Sequence, residues 1–147
     1  MMLERMAVPA LVVALLASWP TADAGRKDEP DRVTVQHVLI GFKRSVPNKK
    51  LDRTKKEAKA LADELLQRAT EGEDFSALVK EYTDDNYPGI YTLTNTEAPR
   101  VPGGRQRKDM VARFGDVAFR LEVGEVGLAA YHGGLSPYGW HVIKRLE

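Results

Sequence analysis

The apolar residues of this 147-residue chain change their spacing in a fixed order, from strand-like to helical and back again. Val33-Thr-Val-Gln-His-Val-Leu-Ile-Gly-Phe42 is β-branched, short and bounded by polar segments, the pattern of a buried strand. Ala58, Leu61, Ala62, Leu65, Leu66 and Ala69 then recur at helical spacing as one stripe. Thr54 and Glu57 stand at capping-box separation before that stripe, and Gly72 ends it. A second helix follows from Asp74 as N-cap, burying Phe75, Leu78, Val79 and Tyr82. Thr83 to Arg107 holds Pro88, Pro99, Pro102 and Gly103-Gly104 and reads as loop, with one short strand at Gly89–Leu93. Met110 to Leu121 suggests two short helices broken at Gly115, and Gly124 and Gly127 read as turns. Gly139–Leu146 is a closing strand with Trp140, Val142 and Leu146 on one face. Such an order predicts an α+β domain, helices packed on a small and largely antiparallel sheet. It shows no internal repeat and no second domain.

Charge excludes several functions. The 22 Lys+Arg against 21 Asp+Glu leave a formal +1, which argues against nucleic-acid binding by bulk charge. With 43% hydrophobic and 29% charged residues, the chain is a core former and not a disordered tail. Without cysteine, stability must come from packing, and neither a disulfide nor a thiolate nucleophile is available.

The first 24 residues form a separate unit. Arg5 precedes the apolar run Ala7–Ala17, and Ala22-Asp23-Ala24 has the small-x-small pattern that a signal peptidase cuts. A spanning helix needs about 20 apolar residues, and this run is shorter, with Pro9 inside it. We therefore expect a signal peptide over 1–24, a flexible leader over 25–32 and one folded domain over 33–147. Cleavage would export the domain to the periplasm or the exterior with no stable membrane insertion; an uncleaved segment would anchor it. The mature chain, lacking Arg5, Glu4 and Asp23, carries a net +2.

No nucleophile-elbow, phosphate-loop, zinc-protease or dinucleotide fingerprint is present. A sparse constellation remains: His37 and His141 in the two apolar strands, His132 in a loop, and Asp84-Asp85 after the second helix. A strand histidine is more often scaffolding than chemistry, and an acidic pair after a helix is most often a solvated turn. His37, His141 and Asp85 also have the composition of a two-histidine, one-carboxylate metal site, though no close His pair supports one.

Taken together these segments resemble the parvulin-type peptidyl-prolyl cis–trans isomerases from His37 to about Leu146. Gln36-His-Val-Leu-Ile40 is similar to the family's opening strand, and Arg53-Thr-Lys-Lys-Glu-Ala58 to the start of its long first helix. Asp74-Phe75 through Tyr82-Thr-Asp-Asp85 resembles the stretch ending in an acidic pair, with Asp85 at the Asp-or-Cys position. Met110-Val-Ala-Arg-Phe114 and Asp116-Val-Ala-Phe119-Arg-Leu-Glu-Val-Gly124-Glu-Val resemble the pocket segment and the run that follows it. Ser136-Pro-Tyr-Gly139-Trp-His141-Val-Ile resembles the closing strand. The family's Gly-Gly-Asp-Leu-Gly is here Pro88-Gly-Ile-Tyr-Thr92, which puts Tyr91 at the pocket leucine. The loop from Asn95 to Arg107 is longer than usual.

The resemblance implies a parvulin-like (FKBP-like) fold, with a four-stranded, mostly antiparallel sheet and about four helices. It implies isomerisation of X–Pro bonds in exported or folding proteins without cofactor or metal, or, alternatively, a non-catalytic chaperone module that binds peptides. His37 and His141 would be hydrogen-bonded to each other beside Asp85, with Ser136 holding one ring. Met110, Phe114 and Tyr91 would form the proline pocket. Lys49, Lys50 and Arg53 would read charge next to the proline. The partners would be proline-containing unfolded or nascent polypeptides, met by a monomer.

Overall fold

A computed structural model describes residues 29–147. The signal-peptide expectation, and the leader up to residue 28, lie outside the described residues. Among the described residues no helix is long and apolar enough to cross a membrane.

Strand β1 (Arg32–Ile40) is followed by helices α1 (Lys55–Thr70) and α2 (Phe75–Tyr82). Strands β2 (Ile90–Thr94) and β3 (Arg105–Gln106) lead into a 3₁₀ turn (Arg107–Asp109) and helix α3 (Ala112–Ala118). Strands β4 (Val126–Ala129) and β5 (Trp140–Arg145) complete a sheet of order β3-β2-β1-β5-β4. All pairings are antiparallel except the two-residue parallel contact of β2 with β3.

The helix ends follow the sequence closely. Thr54 and Glu57 each accept the other's backbone N–H, a complete capping box. At the far end Gly72 (φ +97°) lets its own N–H reach the Ala69 carbonyl while the Glu73 N–H reaches Arg68. This is the left-handed turn that glycine makes at low cost. Ala58, Ala62, Leu65 and Ala69 face inward, and the three alanines let α1 lie close on the sheet around the fully buried Leu65.

The sheet separates two cores by side-chain alternation. Val38, Ile40, Trp140 and Val142 point to α1 and α2; Val33, Val35, Leu93, Ala129 and Ile143 point to α3. His37 and His141 share the parity of the α3 side. The register makes them diagonal neighbours, His37 opposite Ile143 and His141 opposite Leu39.

Four details differ from expectation. The sheet has five strands where four were expected, because β3 is too short to leave a periodic signal. Gly127 lies inside β4, where a Cβ would stand 2.9 Å from Leu121; it is a packing glycine, not a turn. Helix α3 runs straight through Gly115, whose absent side chain leaves room for Arg107, 2.8 Å from where a Cβ would sit. There are consequently three α-helices and one 3₁₀ turn among the described residues, not four helices. The leader is also tied down from residue 29. Glu29 pairs with Arg107 at 2.6 Å, and the Asp31 carbonyl accepts the Asn95 N–H at 2.8 Å.

Candidate active site

Asp85 reaches the site because α2 is pinned to β1. The Leu39 carbonyl accepts the Asp84 N–H at 2.8 Å, and the Thr83 hydroxyl accepts the N–H groups of Leu39 and Asp85, both at 3.2 Å. Asp84 turns the other way. Its carboxylate accepts the Gly41 N–H at 2.8 Å and the Arg53 guanidinium, which also donates to the Gly41 carbonyl at 3.0 Å. The acidic pair therefore divides into a structural clamp and a site residue.

On the other flank, Gln36 donates to the Pro88 carbonyl at 2.9 Å and the His37 N–H donates to Gly89 at 3.1 Å. Gly89 has φ +65°, and a Cβ there would lie 2.9 Å from the His37 carbonyl oxygen. Only glycine allows so tight an approach in that conformation. Tyr91 is thereby placed beside His37, ring centroids 5.4 Å apart.

Both histidines are buried, and their Nδ1 atoms meet at 3.3 Å. His37 Nε2 lies 3.4 Å from the Asp85 carboxylate, a close contact outside good hydrogen-bond geometry. Tautomers are assigned from this network. An anionic carboxylate favours a proton on the facing His37 Nε2. His37 Nδ1 then accepts from His141 Nδ1–H, and His141 Nε2 is left as a bare lone pair. That atom is buried without a hydrogen-bond partner among the described residues. Burial, reinforced by the neighbouring His37, pushes the His141 pKa down to about 3, so the ring is neutral. The His37 imidazole holds the Asp85 carboxyl below its ordinary range, against partial burial.

Phe114 closes the floor. It is fully buried and stands edge-on to both imidazoles, with centroids 5.1 Å from His37 and 5.3 Å from His141. Above it opens a cavity of about 410 Å³ lined by Met110, Phe114, Tyr91, Asp85 and both histidines. Sequence reasoning missed Arg105, Asn86, Asp109, Val46 and Pro47 on the same walls. The apolar pair Val46-Pro47 inside a run of lysines was a visible signal; Arg105 offered none.

Two expected roles change. Ser136 is fully buried, but its hydroxyl donates to the Gly139 carbonyl at 3.0 Å and has no hydrogen bond to either ring. Gly139 (φ +142°) packs so closely on β1 that a Cβ would overlap the Ile40 carbonyl, and Ser136 steadies that turn. Arg53 is committed to Asp84 and Gly41, so its charge is already satisfied within the fold. Lys49 and Lys50 are exposed.

A cup of aromatic and thioether side chains thus stands beside an imidazole pair and one carboxylate, on an α+β fold of parvulin class. The PPIC-type PPIase domain profile matches residues 23–147, and the chain belongs to that family. It is 35% identical over 124 residues to Chaperone SurA of Chromohalobacter salexigens, covering 82% of this chain and 24% of that protein. It is 26% identical over 122 residues to Foldase protein PrsA 1 of Lactobacillus johnsonii, covering 82% and 33%. The chain thus spans a third or less of these relatives' length. The fold is shared with peptidyl-prolyl isomerase ESS1 from Candida albicans (TM-score 0.60, 23% identity, 82% of this chain and 65% of that one). It is shared also with TbPIN1 (TM-score 0.58, 19% identity, 80% and 98%).

Proposed function

We propose that this protein is a peptidyl-prolyl cis–trans isomerase that acts on X–Pro bonds of exported or folding polypeptides by noncovalent means. The observation that carries the reading is the convergence of the 3.3 Å imidazole pair and Asp85 on a cup walled by Met110, Phe114 and Tyr91.

Amide resonance sets a rotation barrier of about 18–20 kcal/mol. Resonance also places negative charge on the carbonyl oxygen, and twisting the bond returns that charge to nitrogen. Two features of the site favour the twisted form. An apolar cup withdraws the water that stabilises the planar, charge-separated amide. The anionic Asp85 disfavours negative charge on a carbonyl held near it. The pyrrolidine ring is gripped while the acyl side turns, and the histidines set the position and charge of Asp85. Each tenfold in rate needs about 1.4 kcal/mol, so several modest differences between planar and twisted states suffice. Export rests on the sequence of residues 1–24, and no cofactor or metal enters the proposed chemistry.

Magnetisation-exchange NMR on a short Ala-Pro peptide tests the reading. Acceleration of cis–trans exchange, reduced at least tenfold in Asp85→Asn, is expected. No acceleration by folded protein overturns it and leaves a module that binds clients without turning them.

A further inference from the structure

The long segment after β2 brings one charge to the cleft that the fold does not use. Arg107, two residues on, is committed to Glu29 at 2.6 Å and Asp116 at 2.8 Å. Arg53 is committed to Asp84. Arg105 is exposed and lines the cavity, and its guanidinium has no hydrogen-bond or ion-pair partner among the described residues. It is nevertheless placed. The pairing of β3 with Leu93 of β2 fixes its backbone, and its guanidinium carbon sits 5.1 Å from the centre of the Tyr91 ring. A guanidinium over an aromatic ring is held by its charge and keeps N–H groups for a further partner. Edge-on donation in pairs is what a carboxylate accepts.

We propose that Arg105 is the specificity-determining residue of this cleft and selects clients with an acidic side chain, Asp or Glu, flanking the proline. The inference rests on the reading of the cup as a proline site. Asp85 and Asp109 line the same cavity, which makes a lysine-bearing peptide the competing occupant. Asp85, however, already faces His37, and the Asp109 carboxylate accepts the Gln106 N–H at 3.2 Å. Arg105 alone of the three has no hydrogen-bond or ion-pair partner among the described residues. Because it is held against Tyr91 beforehand, less side-chain freedom is lost when it binds.

The test measures both binding, by NMR titration, and turnover for three otherwise identical peptides carrying Glu, Ala or Lys next to proline. The Glu peptide is expected to bind about fivefold more tightly than the Ala peptide at low salt, a preference that shrinks with added salt. In Arg105→Ala the Glu-to-Ala ratio falls to about one, and in Arg105→Glu it inverts in favour of Lys. The proposal is overturned if the ratio survives Arg105→Ala, if Lys49→Ala with Lys50→Ala abolishes it instead, or if the Lys peptide binds best to the parent. Binding that follows Arg105 without any turnover would refute isomerase activity and leave this assignment standing. Turnover with no charge preference would do the reverse.

Discussion

The two faces of the sheet obey different rules. On the α1–α2 face the core of Val38, Ile40, Ala58, Ala62, Leu65, Leu78, Val79 and Val142 is apolar, and the buried Gln36 on that face has its amide satisfied by the Pro88 carbonyl and Ser76. On the α3 face the same strands carry two imidazoles whose Nε2 atoms lack hydrogen-bond partners among the described residues, and the core opens into a cavity. Buried polar atoms without partners cost stability. The comparison teaches that both faces bury apolar cores, and that only the α3 face gives up part of its stability to keep imidazoles at an open cavity.

The largest test of that division is Phe114→Ala, since Phe114 belongs to the core and to the cup at once. A loss of about 3–5 kcal/mol in urea denaturation is expected, with turnover falling as well. Leu65→Ala should cost about 2–5 kcal/mol and leave exchange per folded molecule at the parental value. An equal loss of turnover there would show that the faces are not independent.

Acid should attack only the open face at first. The folded His141 refuses a proton until about pH 3, whereas the unfolded chain takes one near 6.5. The unfolded state therefore binds more protons between those values. The His141 contribution to stability is level above pH 6.5 and falls as pH drops below it, approaching about 1.4 kcal/mol per pH unit. Asp85, lowered from 3.8, adds a loss in the same direction only below the ordinary carboxylate range. His37→Leu with His141→Leu should remove the first slope in denaturation measured at pH 5 and 7. At pH 7 that double variant should stay within about 1 kcal/mol of the parent, because both partners of the contact leave together. Its turnover should drop at least tenfold.

Arg53→Ala sharpens the separation of clamp from site. Asp84 has a side chain only 10% exposed, so losing its cation should cost about 1–3 kcal/mol. Peptide charge preference should not change. The smallest effect belongs to Lys59→Ala, which breaks the exposed 2.7 Å pair with Asp63. About 0.3–0.5 kcal/mol and no change in exchange are expected.

Local chemistry was legible before any coordinates. The capping box of Thr54 and Glu57, the α1 stripe, the Gly72 terminus and the two histidine strands are written in spacing and residue type, because each depends on neighbours a few positions away. The order of those elements was enough for an α+β domain. Tertiary contact decided the rest. Gly115 and Gly127 read as breaks because a glycine's signal is the same whether it bends the chain or makes room, and only Arg107 and Leu121 show which. Arg53 and Arg105 are likewise indistinguishable as letters. One was given to Asp84 by the fold and the other was left at the cleft, since a charge's role is set by what long-range packing brings within reach of it.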